Sequence, residues 1–183
     1  MLIFISGGVR SGKSALGEKL AAQFASGRKV YLATSEVCDD EMEARVARHR
    51  ADRAGKGFVT IERCRDIGSA SALVEKGDAV LLDCLGALAA NEMFAGGPAD
   101  FDEGFKQALA GRIFGGIMEI QRAASALVVI SNEVFSDGAS YEKETADYID
   151  VLGRLHGQLA KAADAAVECA CGMHIVHKGG IAV

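Results

Sequence analysis

Residues 7–14 read GGVRSGKS and follow the apolar run LIFIS near the start of the chain. The spacing G-x-x-x-x-G-K-S puts Gly7, Gly12, Lys13 and Ser14 in the four defining positions of a phosphate-binding loop. Each residue type has a physical task. The glycines let the backbone curl so that successive N–H groups point at phosphate oxygens, the Lys13 ammonium neutralises β- and γ-phosphate charge, and the Ser14 hydroxyl can ligate Mg²⁺. The same glycines could serve only as a turn between a strand and a helix. The motif, however, follows an apolar strand and opens a helical period, where the chemistry requires it. This predicts that Gly7, Gly8, Val9, Arg10, Ser11, Gly12, Lys13 and Ser14 cradle the phosphates of ATP or GTP, with Mg²⁺ as companion.

The rest of the chain has the pattern of an α/β fold. Apolar runs at 2–6, 30–34, 79–83 and 127–131 read as continuous Val, Ile and Leu, the mark of strands buried on both faces of a parallel sheet. Helical periods lie between them at 13–24, 40–53, 66–75 and 100–124, with a further one at 142–163. Gly27 reads as the C-cap of the first. Residues 166–170 and 174–177 flank Gly172 and predict two strands joined by a tight turn, which must be antiparallel. The expected architecture is a mostly parallel sheet with helices on both faces and a final antiparallel edge strand. With 183 residues, half of them apolar, a single domain over 1–183 is expected.

Bulk properties narrow the function classes. A net charge of -5 and a pI near 5.4 give no basic footprint for a polyanion, so nucleic acid is not an expected partner. Five cysteines, odd in number and without a C-x-x-C pair, predict reduced thiols. The N-terminus lacks the basic leader and long apolar stretch of a signal peptide, and no run reaches the ~18 apolar residues of a membrane span. A cytoplasmic protein without a transmembrane segment is expected.

Two further positions carry possible chemistry. Asp83 ends the run AVLLD, where an acidic residue can hold Mg²⁺ directly or through water. It could equally cap the helix that follows. His49 lies in DDEMEARVARHRADR among Arg45, Arg48, Arg50 and Arg53. Neighbouring guanidiniums would keep its ring neutral, and a neutral ring nitrogen is a nucleophile. A charge-rich helix is also simply a solvated face, and spacing alone leaves both readings of His49 open.

Taken in order, GGVRSGKS, YLATS, DDEMEARVARHRADR, Thr60 with Glu62, LLDCLGALAANEMF and ISNEV resemble the bifunctional adenosylcobinamide kinase / adenosylcobinamide-phosphate guanylyltransferase family of cobalamin assembly. The resemblance implies a RecA-like P-loop fold, a homotrimer and two reactions. In one, a nucleoside triphosphate phosphorylates the aminopropanol hydroxyl of adenosylcobinamide. In the other, a histidine attacks the α-phosphorus of GTP, and the resulting GMP-histidine passes GMP to adenosylcobinamide phosphate. The matching histidine is His49, with Lys13 as catalytic partner. Carried over by position, Ala33, Thr34, Ser35, Arg50, Ala51, Asp52 and Arg53 line the nucleotide site, with Glu62 and Asp83 contributing and Ser14 and Asp83 on the metal. Glu62 could accept from the N1–H and exocyclic amine of guanine, or could be an exposed strand-end carboxylate. After Val134 the chain reads FSDGASYE and departs from the family's glycine and proline continuation, in a loop expected to approach the corrinoid.

His156, His174 and His177 share no metal-ligand spacing and read as surface or strand residues. Cys169 and Cys171 read as small hydrophobes on one strand face. Two other functions fit the motifs: a small-molecule kinase using the phosphate loop alone, with His49 inert, and a nucleotide-binding regulator without transfer chemistry.

Overall fold

Each buried aliphatic run becomes a strand in the computed structural model, which describes residues 1–36, 55–96, 101–135 and 138–181. Strand β1 is Leu2–Gly7, followed by α1 Lys13–Phe24, β2 Lys29–Ala33 and β3 Phe58–Glu62. A 3-10 helix, Ile67–Leu73, leads to β4 Ala79–Asp83, α2 Leu85–Met93 and α3 Glu103–Ala123. The chain closes with β5 Ala126–Asn132, α4 Lys143–Ala162, β6 Ala165–Ala170 and β7 Met173–Lys178.

The seven strands form one sheet in the order β3-β2-β4-β5-β1-β6-β7, parallel throughout except for the antiparallel β6–β7 pair. Alternation along the pleat divides the core in two. Ile3, Ile5, Leu81, Val128 and Ile130 point to the face covered by Leu16, Leu20 and Ala21 of α1. Phe4, Leu32, Val80, Leu82, Leu127 and Val129 point to the other, beneath α2, α3 and α4. Burial on both sides explains why β1, β4 and β5 lack polar residues at every second position. It is also what stabilises them, at about 1.5–3 kcal/mol per fully buried Leu or Ile side chain.

Departures from the sequence reading have physical causes. Strand β3 was absent from the apolar runs because it is the exposed edge, where Val59, Thr60 and Glu62 face solvent. The helix expected at 66–75 is a short 3-10 segment, because Asp66 enters it at φ 47 and Val74 leaves it extended. Gly27 does not cap α1, which ends at Phe24 with Ala25 extended; its N–H instead donates to Gly77 O at 2.7 Å. The helix expected at 40–53 lies outside the described residues. No helix among the described residues is long and apolar enough to cross a membrane.

The parallel register brings strand exits to one edge. Gly7 pairs with Asn132 and Cys169, Ala33 pairs with Glu62 and Asp83, and Asp83 pairs with Ile130. Ligands of open α/β sheets bind in crevices at this carboxyl edge.

Candidate functional site

The loop from Gly8 to Gly12 turns β1 into α1 through two left-handed residues, Arg10 at φ 60 and Gly12 at φ 96. Gly12 occupies the N-cap of α1, and no side chain caps that end. The N–H groups of the first turn are thus left for an anion, and the helix dipole favours negative charge there. At Gly7 the constraint is space, since an added Cβ would stand 2.4 Å from Cys169 O and 2.7 Å from Ser11 Oγ. Lys13, only 8% exposed, folds back over the loop and donates from Nζ to Gly8 O at 2.9 Å. The loop borders an open cavity of ≈ 260 Å³ lined by Arg10, Ser11, Gly12, Lys13, Ser14 and Ala15. Among the described residues Ser11 Oγ is buried without a hydrogen-bond partner, a polar atom that a phosphate oxygen would satisfy.

Beside this cradle, Ser14 Oγ donates to Asp83 Oδ2 at 3.2 Å. Helix α1 carries the hydroxyl across the sheet face to the exit of β4. A hydroxyl and a carboxylate oxygen in contact are hard donors, and this set fits Mg²⁺, which binds through one or two carboxylates plus phosphates and water.

The other predicted site residues divide into three groups. Ala33, Glu62 and Asp83 lie together on the carboxyl edge, with Thr34 and Ser35 directly beyond β2. Thr34 is fully buried and already engaged, its hydroxyl donating to Cys84 O at 2.7 Å and its N–H to Asp83 O at 3.3 Å. Glu62 is exposed at the end of β3; Val9 and Arg10 are exposed at the tip of the loop. His49, Arg50, Ala51, Asp52 and Arg53 lie outside the described residues.

Several residues that shape this edge carry no sequence signal. Glu133 N–H donates to Gly7 O at 3.0 Å, fastening the segment after β5 to the start of the phosphate loop. Next to it, His156 is not a surface residue. Its Nε2 lies 2.7 Å from Ser131 Oγ, and its ring meets Phe4 and Phe135 edge-on at 5.0 Å each. Burial pulls its pKa down to about 4, against the weaker upward pull of Glu133. Cys171 also departs from expectation: it is exposed in the β6–β7 turn at φ 50, while Cys169 is buried. His174 and His177 are exposed, as expected, His177 with Nε2 2.8 Å from Glu168 Oε2.

A glycine loop opening an uncapped helix, at the carboxyl edge of a mostly parallel sheet, defines a P-loop nucleotide-binding protein. The fold is similar to a prototypical ATPase from the type III secretion system of pathogenic bacteria, with a TM-score of 0.50 and 14% identity over 91% of this chain and 50% of that one. Residues 3–176 match the family model described as cobinamide kinase / cobinamide phosphate guanyltransferase, and the chain belongs to that family of bifunctional enzymes. It is 34% identical to the bifunctional adenosylcobalamin biosynthesis protein CobU of Escherichia coli K12 and 32% identical to that of Salmonella typhimurium, each over 90% of this chain and 92% of the relative. The corresponding protein CobP of Pseudomonas aeruginosa is 30% identical over 96% of both chains.

Proposed function

We propose that this protein, as one domain, carries out both family reactions at the carboxyl edge of its sheet. In the first, the loop from Gly7 to Ser14 holds the phosphates of ATP or GTP, and the γ-phosphoryl group passes to the aminopropanol hydroxyl of adenosylcobinamide. The hydroxyl oxygen forms the new bond to the γ-phosphorus as the bond from that phosphorus to the β–γ bridging oxygen breaks, the hydroxyl proton passes to water, and the nucleoside diphosphate leaves. Lys13 neutralises charge on the oxygens around the transferring phosphorus. Ser14 and Asp83 would hold Mg²⁺, which supplies charge neutralisation on the phosphate chain.

In the second reaction, a ring nitrogen of His49 bonds to the α-phosphorus of GTP as pyrophosphate departs. A phosphate oxygen of adenosylcobinamide phosphate then displaces the histidine and takes GMP, giving adenosylcobinamide-GDP. Arg50 and Arg53 stabilise the developing charge, Ala51 and Asp52 lie beside the nucleotide, and Glu62 accepts from the N1–H and exocyclic amine of guanine. Spacing supports this assignment. Glu62 stands two strand positions from Asp83 across β2, roughly 10 Å, a span that suits a nucleoside reaching from the metal-side phosphates to its base. We further propose that the protein acts in the cytoplasm as a homotrimer.

The observation that carries the reading is the Ser14–Asp83 contact at 3.2 Å beside an uncapped helix start, in a chain of this family. Incubation with GTP labelled at the α-phosphate tests it. The expected result is an acid-labile, base-stable label on the protein that His49→Ala abolishes. Transfer of γ-label to adenosylcobinamide with no α-label on protein would reduce the function to a kinase. Binding without turnover of either corrinoid would leave only a nucleotide-binding regulator.

A further inference from the structure

Asn91, on α2, reaches two backbone carbonyls with one side-chain nitrogen. Its Nδ2 donates to Thr34 O at 2.7 Å and to Cys64 O at 3.1 Å. Both neighbours are acceptors, so only the amide's NH₂ face satisfies them. The two carbonyls lie just past the ends of β2 and β3, where the ladder that pairs Ala33 with Glu62 stops. The same junction is tied again by Arg63 N–H to Ala33 O at 2.9 Å, Cys64 Sγ to Ser35 O at 3.4 Å, and Arg65 Nη2 to Glu36 Oε2 at 2.9 Å. The neighbour of Asn91 on α2 closes it from the other side. Glu92 Oε1 accepts from Asp66 N–H at 2.6 Å, while Glu92 Oε2 accepts from Arg112 Nη2 on α3 at 3.0 Å.

We propose that Asn91 is a positioning residue for guanine selection: its two hydrogen bonds fix the exits of β2 and β3, and so hold Ser35 and Glu62 at a set separation across the nucleotide crevice. This rests on the reading in which Glu62 meets the guanine edge. The logic is geometric. Among the described residues no strand pairs with the outer side of β3, so the junction that holds its exit to that of β2 contributes to where Glu62 stands. Asn91 hydrogen-bonds to backbone of both exits, and it stands on a helix whose Leu85, Leu88, Ala89 and Met93 are fully buried. A buried helix thereby sets the reach of a carboxylate on the edge strand, as a supporting residue must if a recognition group is to select between similar bases.

Asn91→Asp keeps the shape and replaces the donor by an oxygen facing two carbonyls; Asn91→Leu keeps the approximate volume without a charge. Wild-type and both variant proteins are compared in GMP transfer with GTP and with ITP, whose base lacks the exocyclic amine, and in amide hydrogen exchange. For both variants KM for GTP should rise about 10-fold, the lower end of what loss of a supporting hydrogen-bond partner costs, with a smaller change in kcat and a reduced preference for GTP over ITP. Exchange should quicken at Thr34, Arg63 and Asp66 while β1 and β4 remain protected. Wild-type KM and preference in both variants would overturn the proposal, as would faster exchange spread through the whole sheet, which would make Asn91 a stability residue only. If wild-type protein takes no label from α-labelled GTP, the functional reading fails instead. The local exchange pattern would then show whether Asn91 ties the two exits, but guanine selection would be refuted.

Discussion

Ser14 Oγ and Asp83 Oδ2 are 3.2 Å apart although 69 residues separate them in the chain, and the contact joins the first turn of α1 to the exit of β4. The contact sets the carboxylate beside the phosphate cradle. Asp83→Asn keeps the hydrogen bond to Ser14 but removes the charge a divalent cation requires. Phosphoryl transfer should fall about 10²-fold or more, as for loss of one preorganised electrostatic group, and the Mg²⁺ concentration for half-maximal rate should rise. Steady-state rates across a magnesium series check this. Nucleotide affinity measured without magnesium should change little.

Lys13 donates to Gly8 O and so rests across the mouth of the loop it serves. Lys13→Ala should weaken nucleotide triphosphate binding about 10- to 150-fold, the range of one hydrogen bond to a charged group at ~1.5–3 kcal/mol. Equilibrium titration with a fluorescent nucleotide measures it. Lys13→Arg should not restore affinity, because a planar fork cannot occupy the position of a compact ammonium on a buried stem.

Gly7 is set by close approach and not by backbone conformation. A Cβ there would stand 2.4 Å from the carbonyl oxygen of Cys169 on the paired strand β6, and backbone on that strand cannot yield without breaking the ladder. Gly7→Ala should destabilise the protein by roughly 1–3 kcal/mol, as overpacking does. At this chain length that lowers the melting temperature by roughly 2–4 °C per kcal/mol. Thermal unfolding with and without nucleotide reads both effects, and the stabilisation by nucleotide should shrink as well.

What the sequence exposed and what it hid follow from the same geometry. The phosphate loop was legible because its parts are contiguous and its glycines have no substitute. Asp83 was legible because an acid ending an unbroken apolar run has few places to go but a strand exit. Strand β3 was not, since an edge strand in water has no need of unbroken apolarity. Asn91 could not be read at all: its partners are backbone carbonyls 57 and 27 residues away, and a carbonyl carries no residue identity. The surroundings of His156 were hidden for a related reason, because the ring packs between Phe4 of β1 and Phe135 beyond β5, which are far apart in the chain and meet only because those two strands pair.

That enclosure gives His156 a pH signature. Its ring is held neutral in the folded protein with a pKa of about 4, against 6.5 when free of burial. Between those values the unfolded chain binds a proton that the folded chain refuses. The contribution is therefore fully present above pH 6.5 and is lost progressively as pH falls toward 4, by at most about 3 kcal/mol. Asn in place of His removes the titrating ring. Urea unfolding of wild-type protein and His156→Asn from pH 7.5 to pH 4.5 should show a steeper loss of stability in the wild type, with the two curves converging at the acid end. Parallel curves would mean that the ring charges as readily inside the fold as outside it. Because Ser131 leads into Asn132 and the Glu133 N–H that holds Gly7 O, nucleotide affinity of the wild type should fall over the same window, and that of His156→Asn should fall less.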